Sequence, residues 1–223
     1  LPTNKQIRDV LLSLENDGGW VTHFINNEGA PGFYITDFEG YDKIAYVVVM
    51  RIYQFNRLRN DLSSCFMCSQ DNWELLDSDK ENYNYLLEQD NGDWHLLLSD
   101  WKTKRADDSE KRLKIKGGRN NNLLLKWWHT LNGDGPFIIN PKTNKQMSSK
   151  MFTDFMLKYN NKYLGHKIGT RMLRKIFYSE KYGDAIAQLK ADCDASLHSV
   201  GTAMNIYTKV LHGEPDPRDP NDY

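Results

Sequence analysis

The sequence predicts an α+β fold that is mostly α, with a small three-stranded antiparallel sheet. Three observations support this: long stretches with apolar residues at helical spacing, three short strand candidates between residues 83 and 116, and turn sequences that separate them. A length of 223 residues allows one domain with a sizeable core. We expect an N-terminal helix and irregular lead-in (1–40), a main domain (41–212) and a flexible C-terminal tail (213–223), rich in proline and acidic residues.

The first predicted helices lie in the N-terminal third of the chain. In residues 4–16, apolar side chains recur at helical spacing. Residues 41–58 are so strongly apolar that we expect a buried helix there, and we interpret 65–68 as helical as well. The longest apolar run, 44–50, is far too short to cross a bilayer, so we predict no contact with a membrane.

Three short segments form the predicted antiparallel sheet. These strands are 83–88, 94–103 and 112–116. The turn 90–93 joins the first two, and a charged tip at 104–111 joins the last two. In the third strand, Leu113 and Ile115 alternate with basic neighbours, which is typical of a strand with one buried face.

Helices dominate the rest of the prediction. We expect them over 123–131, from Ser148 or Ser149 to about 162, from Thr170 through Phe177, over 182–190 and over 202–211. Ser148 and Ser149 are good N-cap residues for the second of these, and Gly165 ends it. A brief apolar strand over 137–140 falls before it.

The net charge of −1 conceals a basic half of the chain. Residues 102–181 hold 19 Lys and Arg against 6 Asp and Glu, a net of +13, so the remainder carries 10 against 24, a net of −14. Such a basic region is the electrostatic footprint expected for a phosphate backbone. A solvated lysine face that binds nothing would give the same count, and composition alone leaves both interpretations open.

The cysteines predict neither disulfides nor a metal site. Cys65, Cys68 and Cys193 form no disulfide framework and suit a reducing, intracellular compartment. Cys65-x-x-Cys68 has the spacing of half a zinc site, but the sequence has no second pair. It also has no Gly-rich phosphate loop, so we predict no metal and no ATP.

The strongest functional pattern lies in the C-terminal part of the chain. Arg171 and Arg174 are three residues apart and project from one face of their predicted helix. A His198-Ser199 pair follows, and Tyr207 comes nine residues after His198. Guanidinium groups stabilise charge on phosphate oxygens, and a phenol can form a covalent phosphoryl intermediate. Together these groups suit attack by a tyrosine oxygen on a phosphodiester.

This pattern resembles the signature of the tyrosine recombinases, the phage-type integrases, and is most similar to the integrases of eukaryotic DNA viruses and mobile elements. In that family a His-x-x-Arg box precedes Gly-His-Ser and the nucleophilic tyrosine. The resemblance covers roughly residues 40–210 and implies the family's mostly α catalytic domain with its small antiparallel sheet. We expect the family's core-binding domain to lie upstream, because residues 1–38 are too few and too irregular to form it.

Two positions depart from the family pattern. Arg171 stands where the family usually has histidine, and Leu197 stands where it usually has glycine. The first departure affects the proton-transfer role at that position, although an arginine still binds phosphate.

The resemblance also implies the earlier catalytic residues. A first arginine is expected beside an acidic residue within 56–62; we favour Arg59, with Arg57 as the alternative. A lysine is expected on the hairpin in a Lys-Thr pair; Lys102 fits, and Lys104, on the same face of the strand, is the alternative. The further residues expected to contact DNA are Arg57, Lys104, Arg105 and Lys175.

The function implied is site-specific recombination or integration of double-stranded DNA. Tyr207 cuts the backbone to form a 3′-phosphotyrosyl link, and Lys102 protonates the departing 5′ oxygen. The residues expected around the phosphate are Arg59, Arg171, Arg174 and His198. The link stores the bond energy, so neither ATP nor a metal is required. Family members act as homotetramers on paired DNA sites, and we expect the nucleus or a site of viral replication as the location.

Two rival interpretations stay open. One is a catalytically inactive DNA-binding module on the same fold. The other is a helical protein-interaction domain whose basic face meets an acidic partner.

Overall fold

The computed structural model describes residues 1–16, 38–56, 58, 60–76, 83–99, 111–197 and 199–201. They form an α+β structure that is mostly helical, with a small mixed sheet. The chain divides into two compact units, Leu1–Phe177 and Tyr178–Tyr223. No helix in the described part of the chain is both long and apolar enough to cross a membrane.

Six α-helices and one short 3-10 turn lie among these residues. The helices are α1 (Asn4–Asn16), α2 (Phe38–Phe55), α3 (Gln70–Leu75), α4 (Gly118–Asn132), α5 (Ser149–Leu164) and α6 (Thr170–Ala195). The 3-10 turn is Asn60–Ser64. As predicted, Ser148 caps α5 by accepting a hydrogen bond from the backbone of Met151, and Gly165 ends this helix in the left-handed conformation.

The main sheet has five strands in the order β4-β3-β2-β1-β5. They are β1 (Cys65–Cys68), β2 (Asn84–Glu88), β3 (Trp94–Leu98), β4 (Lys111–Lys114) and β5 (Gly135–Pro136). The antiparallel order β2-β3-β4 agrees with the predicted meander. A separate two-stranded ribbon joins β6 (Ile139–Asn140) to β7 (Lys145–Gln146).

Two predictions about the sheet are wrong. It is mixed and five-stranded rather than three-stranded and antiparallel, because β1 pairs in parallel with β2 and antiparallel with β5. Residues 65–68 are therefore a strand and not a helix. A strand inside a sheet is buried on both faces, so it lacks the alternation that would mark it in the sequence.

The helix α6 also differs from the prediction. It runs unbroken from Thr170 to Ala195, where the sequence suggested one helix ending near Phe177 and another over 182–190. No proline interrupts the segment, and an interior Gly183 costs only about 1 kcal/mol relative to alanine.

The buried helix α2 is the centre of the hydrophobic core. Its residues from Ala45 to Met50 are fully buried, and α1, α4 and α5 all contribute side chains to the same core. Three consecutive valines disfavour a helix slightly, at a cost of up to about 0.7 kcal/mol each relative to alanine. Burying each valine contributes about 1.5–3 kcal/mol, so packing decides the conformation.

An ion pair in this core joins α1 to α2. Arg51 donates from Nη2 to Oε2 of Glu15 at 2.5 Å and from Nε to the other carboxylate oxygen. The side chains are only 14% and 10% exposed. Arg51 also donates to the side chain of Gln54 at 3.0 Å, which holds the guanidinium in place.

Breaking this pair should destabilise the fold. Arg51→Met leaves the Glu15 carboxylate buried without its partner, so we expect the free energy of unfolding in urea to fall by about 3 kcal/mol. The matched control is Arg8→Met: Arg8 lies 4.0 Å from Asp9, and both side chains are more than half exposed. Its loss should stay under about 1 kcal/mol. Equal losses from the two variants would contradict a structural role for Arg51.

Candidate functional site

The first turns of α6 carry the predicted site residues that the structure describes. Leu173, Ile176 and Phe177 are buried in the main core and fix this part of the helix. On its other side Arg171 and Lys175 are exposed, whereas Arg174 is half-buried. Spacings of three and four residues place the three cations on one face, as the sequence predicted for the two arginines.

A buried hydrogen-bond chain fixes the start of α6. Tyr46 of α2 donates from its hydroxyl to Asn160 of α5 at 2.9 Å, and the Asn160 amide donates to the carbonyl of Ile168 at 2.6 Å. The Gly169 carbonyl then accepts from the amide of Leu173 at 3.1 Å, so Gly169 occupies the N-cap position. The hydrogen bonds of Asn160 therefore fix the start of α6, and with it Arg171 and Arg174, relative to α2.

Arg174 reaches towards the end of α2. Burial raises the pKa of the Tyr53 phenol well above its ordinary value of 10.0, Asp61 and Cys65 add to the rise, and Arg174 opposes it. The guanidinium thus lies within electrostatic range of a buried phenol. Its Nε is buried and has no hydrogen-bond acceptor among the described residues.

The residues around this guanidinium flank the predicted first arginine. In the sequence, Tyr53 precedes Arg57 by four residues, and Asp61 follows Arg59 by two residues. Arg57 and Arg59 themselves lie outside the described residues.

Five further predicted residues also lie outside the described ranges. They are Lys102, Lys104, Arg105, His198 and Tyr207. Leu197, immediately before His198, is described: it is 94% exposed and has a φ of +58°. Glycine adopts that left-handed conformation freely, whereas other L-residues do so at a cost of about 1–2 kcal/mol.

A basic surface lies on β4, the turn after it and the start of α4. Its residues were not among the binding candidates predicted from the sequence. Its members are all exposed: Lys111, Arg112, Lys114, Lys116 and Arg119. Two of them are held by neighbours on the sheet. Arg112 donates from Nε to Nδ1 of His95 at 2.7 Å, and Lys114 contacts Asp93 at 2.5 Å. The positive charge of residues 102–181 was the signal that could have identified this surface.

A titratable cluster lies at the end of α4. His129 contacts Asp134 through Nε2 and Glu88 through Nδ1, the latter at 3.7 Å. Burial lowers the pKa of His129, but attraction to the two carboxylates outweighs it, so this pKa stands above its ordinary 6.5. Burial acts to raise the pKa of Asp134, yet bonds from Asn72, His129 and the Ser69 amide bring it below 3.8. The cluster holds α4 against β2 and α3.

The Cys65 thiol is not suited to bind a metal. It is fully buried in β1 and donates to the carbonyl of Asp61 at 3.2 Å. Burial raises the pKa of this thiol far above its ordinary 9.0, which disfavours the thiolate form that binds metals. Within the described ranges, no three His, Cys, Asp or Glu side chains are grouped closely enough to hold a metal ion.

No protein-family model, no curated protein and no solved structure matches this chain.

Removing the Asn160 side chain should loosen the start of α6. In Asn160→Ala the Tyr46 hydroxyl and the Ile168 carbonyl lose their buried partners, at a cost of about 1–3 kcal/mol each. We expect lower stability in urea and faster hydrogen exchange in peptides covering 168–174. Asn161→Ala, one residue along on the exposed face, is the control and should change neither measurement. Unchanged exchange in Asn160→Ala would show that this bond chain does not position the arginines.

The His129 cluster should make stability depend on pH. A raised folded-state pKa means that the stabilisation is fully present below about pH 6.5 and is lost as the pH rises through the folded value. The lowered pKa of Asp134 gives the opposite dependence in acid, with stability lost as the pH falls below about 4. In His129→Gln the decline in unfolding free energy between pH 6 and 9 should flatten. A decline of the same size in the variant would assign it to other groups.

Proposed function

We propose that this chain is the catalytic domain of a tyrosine-type, site-specific DNA recombinase or integrase. Tyr207 attacks a DNA phosphodiester, forms a 3′-phosphotyrosyl link and releases a 5′ hydroxyl. A 5′ hydroxyl from another strand then attacks the link and reseals the backbone. In the first step one phosphorus–oxygen bond breaks and another forms to tyrosine. The bond energy is therefore conserved, and the reaction needs no ATP.

The observation that carries this proposal is the setting of Arg174. Arg174 has a half-buried guanidinium whose Nε has no acceptor among the described residues, and it interacts with residues on both sides of 57–59. This setting supports a phosphate site built from Arg174 and Arg59. A guanidinium fixed before substrate arrives stabilises developing charge on the phosphate without the cost of reorganisation. Exposed Arg171 supplies a second contact to the same anion.

The remaining roles follow from the chemistry of the side chains. His198 donates to a phosphate oxygen, and Lys102 protonates the leaving 5′ oxygen. The left-handed backbone at Leu197 supports the alignment with the family's Gly-His-Ser, because glycine adopts that conformation freely. We further propose that four copies assemble on two DNA sites, as the resemblance implies.

A second candidate is a DNA-binding module without catalysis. The exposed basic surface of β4 favours it, because those cations can bind phosphates with no contribution from Tyr207. The two candidates share the partner and differ in whether a covalent bond forms.

Trapping a covalent adduct separates these candidates. We would incubate the protein with a pool of nicked duplexes of randomised sequence, in which the short 5′-hydroxyl strand diffuses away after cleavage and prevents rejoining. The recombinase proposal predicts a denaturant-resistant adduct, identified by mass spectrometry as phosphotyrosine at Tyr207. Tyr207→Phe should give none, and Arg174→Ala should reduce the adduct about 100-fold or more.

The control is Tyr178→Phe, which alters an exposed tyrosine on α6 and should leave adduct formation unchanged. Wild-type protein that binds the pool but forms no adduct would contradict the recombinase and favour the module.

A further inference from the structure

A basic cavity of about 730 Å³ lies between the β2–β3 turn and the start of α4. Its walls are residues 91–93, residues 114–119 and the side of α4 that carries Asn122 and Lys126. Its volume is within the range of about 300–1,000 Å³ typical of ligand sites. It is separate from the Arg171 and Arg174 side chains, neither of which lines it.

Four cations from three parts of the chain converge on this cavity. They are Lys114 at the end of β4, Lys116 in the turn, and Arg119 and Lys126 on α4. Lys114 is paired with Asp93 at 2.5 Å, and Lys126 lies 4.0 Å from Glu88. Lys116 and Arg119 have no acidic partner within ion-pair distance among the described residues, so their charges are available to an anion.

The backbone at the cavity wall is fixed by its own packing. The Asn121 side chain donates to the Lys116 carbonyl at 2.9 Å and packs so closely on Gly117 that a Cβ there would lie 2.3 Å from its amide nitrogen. The Lys116 amide in turn donates to Asn56 at 3.1 Å, at the end of α2. Lys116 and Arg119 therefore extend from an ordered turn and the first turn of α4, and the turn is bonded to Asn56.

We propose that this basic cavity binds a backbone phosphate of DNA, with Lys116 and Arg119 as the principal contacts and Lys114 and Lys126 as supporting charges. It rests on the proposed function only in taking the same DNA as its partner, and it requires no catalysis. It adds a site to those expected from the sequence, which named Arg57, Lys104, Arg105 and Lys175.

The lining favours the DNA backbone over the bases. None of the residues that line the cavity is aromatic, so no ring is available to stack on a base. Lysine and arginine bound to phosphate oxygens fix the register of a protein on DNA without reading its sequence. The exposed cations Lys111 and Arg112 on β4 continue the positive surface beyond the cavity. We therefore assign this cavity a positioning role that does not depend on DNA sequence.

The test compares Lys116→Gln, Arg119→Gln and the double variant with wild type in binding duplex DNA from about 50 to 200 mM salt. The slope of log K against log salt is negative, and each lost phosphate contact makes it shallower by about 0.9. For the double variant, the ratio of wild-type to variant affinity should therefore shrink about tenfold across this range. The losses should be the same for two unrelated DNA sequences.

Lys5→Gln, an exposed lysine of α1 outside the basic half, is the matched control, and thermal unfolding checks that all variants fold. An unchanged salt slope in the double variant, or a loss confined to one DNA sequence, would overturn this inference. The experiments distinguish failure of the cavity proposal from failure of the recombinase proposal. Reduced slopes without any Tyr207 adduct support the cavity and contradict the enzyme, whereas an adduct with unchanged slopes does the reverse.

Discussion

The burial of α2 is the constraint on which the rest of this structure depends. A helix surrounded by apolar side chains can only exist if other elements enclose it, and each neighbour is joined to it by a polar bond as well. Arg51 binds Glu15 of α1, Tyr46 binds Asn160 of α5, and Asn56, just past its end, binds Lys116. Hydrophobic burial supplies the driving force, which has no direction, and the polar bonds fix the orientation of each neighbour.

The candidate site depends on this arrangement because Arg174 lies within electrostatic range of Tyr53, near one end of α2. Tyr53, in the last turns of the helix, interacts electrostatically with Arg174. Asn160 fixes the start of the helix that carries Arg174, because it donates a hydrogen bond to the Ile168 carbonyl. The chain leaving α2 passes through Arg57 and Arg59 before Asp61. A shift of α2 would therefore disturb both predicted phosphate-binding segments together, and preorganised charge loses its effect when its geometry loosens.

Sequence patterns predicted the elements whose ends are marked by nearby residues. They did not predict the elements whose conformation depends on contacts distant in sequence. Helix α5 was predictable because Ser148 and Gly165 mark its ends, and the β2-β3-β4 meander because Asn91-Gly92 marks a turn. The strand at Cys65 was not, because its parallel partner β2 is separated from it by α3. The helix predicted over 123–131 begins five residues earlier, at Gly118, as α4. The two arginines were predicted from their spacing in the sequence, but the electrostatic interaction of Arg174 with Tyr53 is visible only in the fold.

The cations of this chain fall into groups that the net charge of −1 does not reveal. Arg51 is largely buried beside the Glu15 carboxylate, and their ion pair holds α1 to α2. Lys116 and Arg119 are exposed and have no acidic partner among the described residues, so their charge is available to an anion. Arg174 fits neither description, because its Nε is buried without an acceptor among the described residues. A methionine could fill the same space without desolvating an unpaired N–H group, at a saving of about 1–3 kcal/mol or more. Folding alone therefore does not account for an arginine at this position, whereas the proposed phosphate site would account for it.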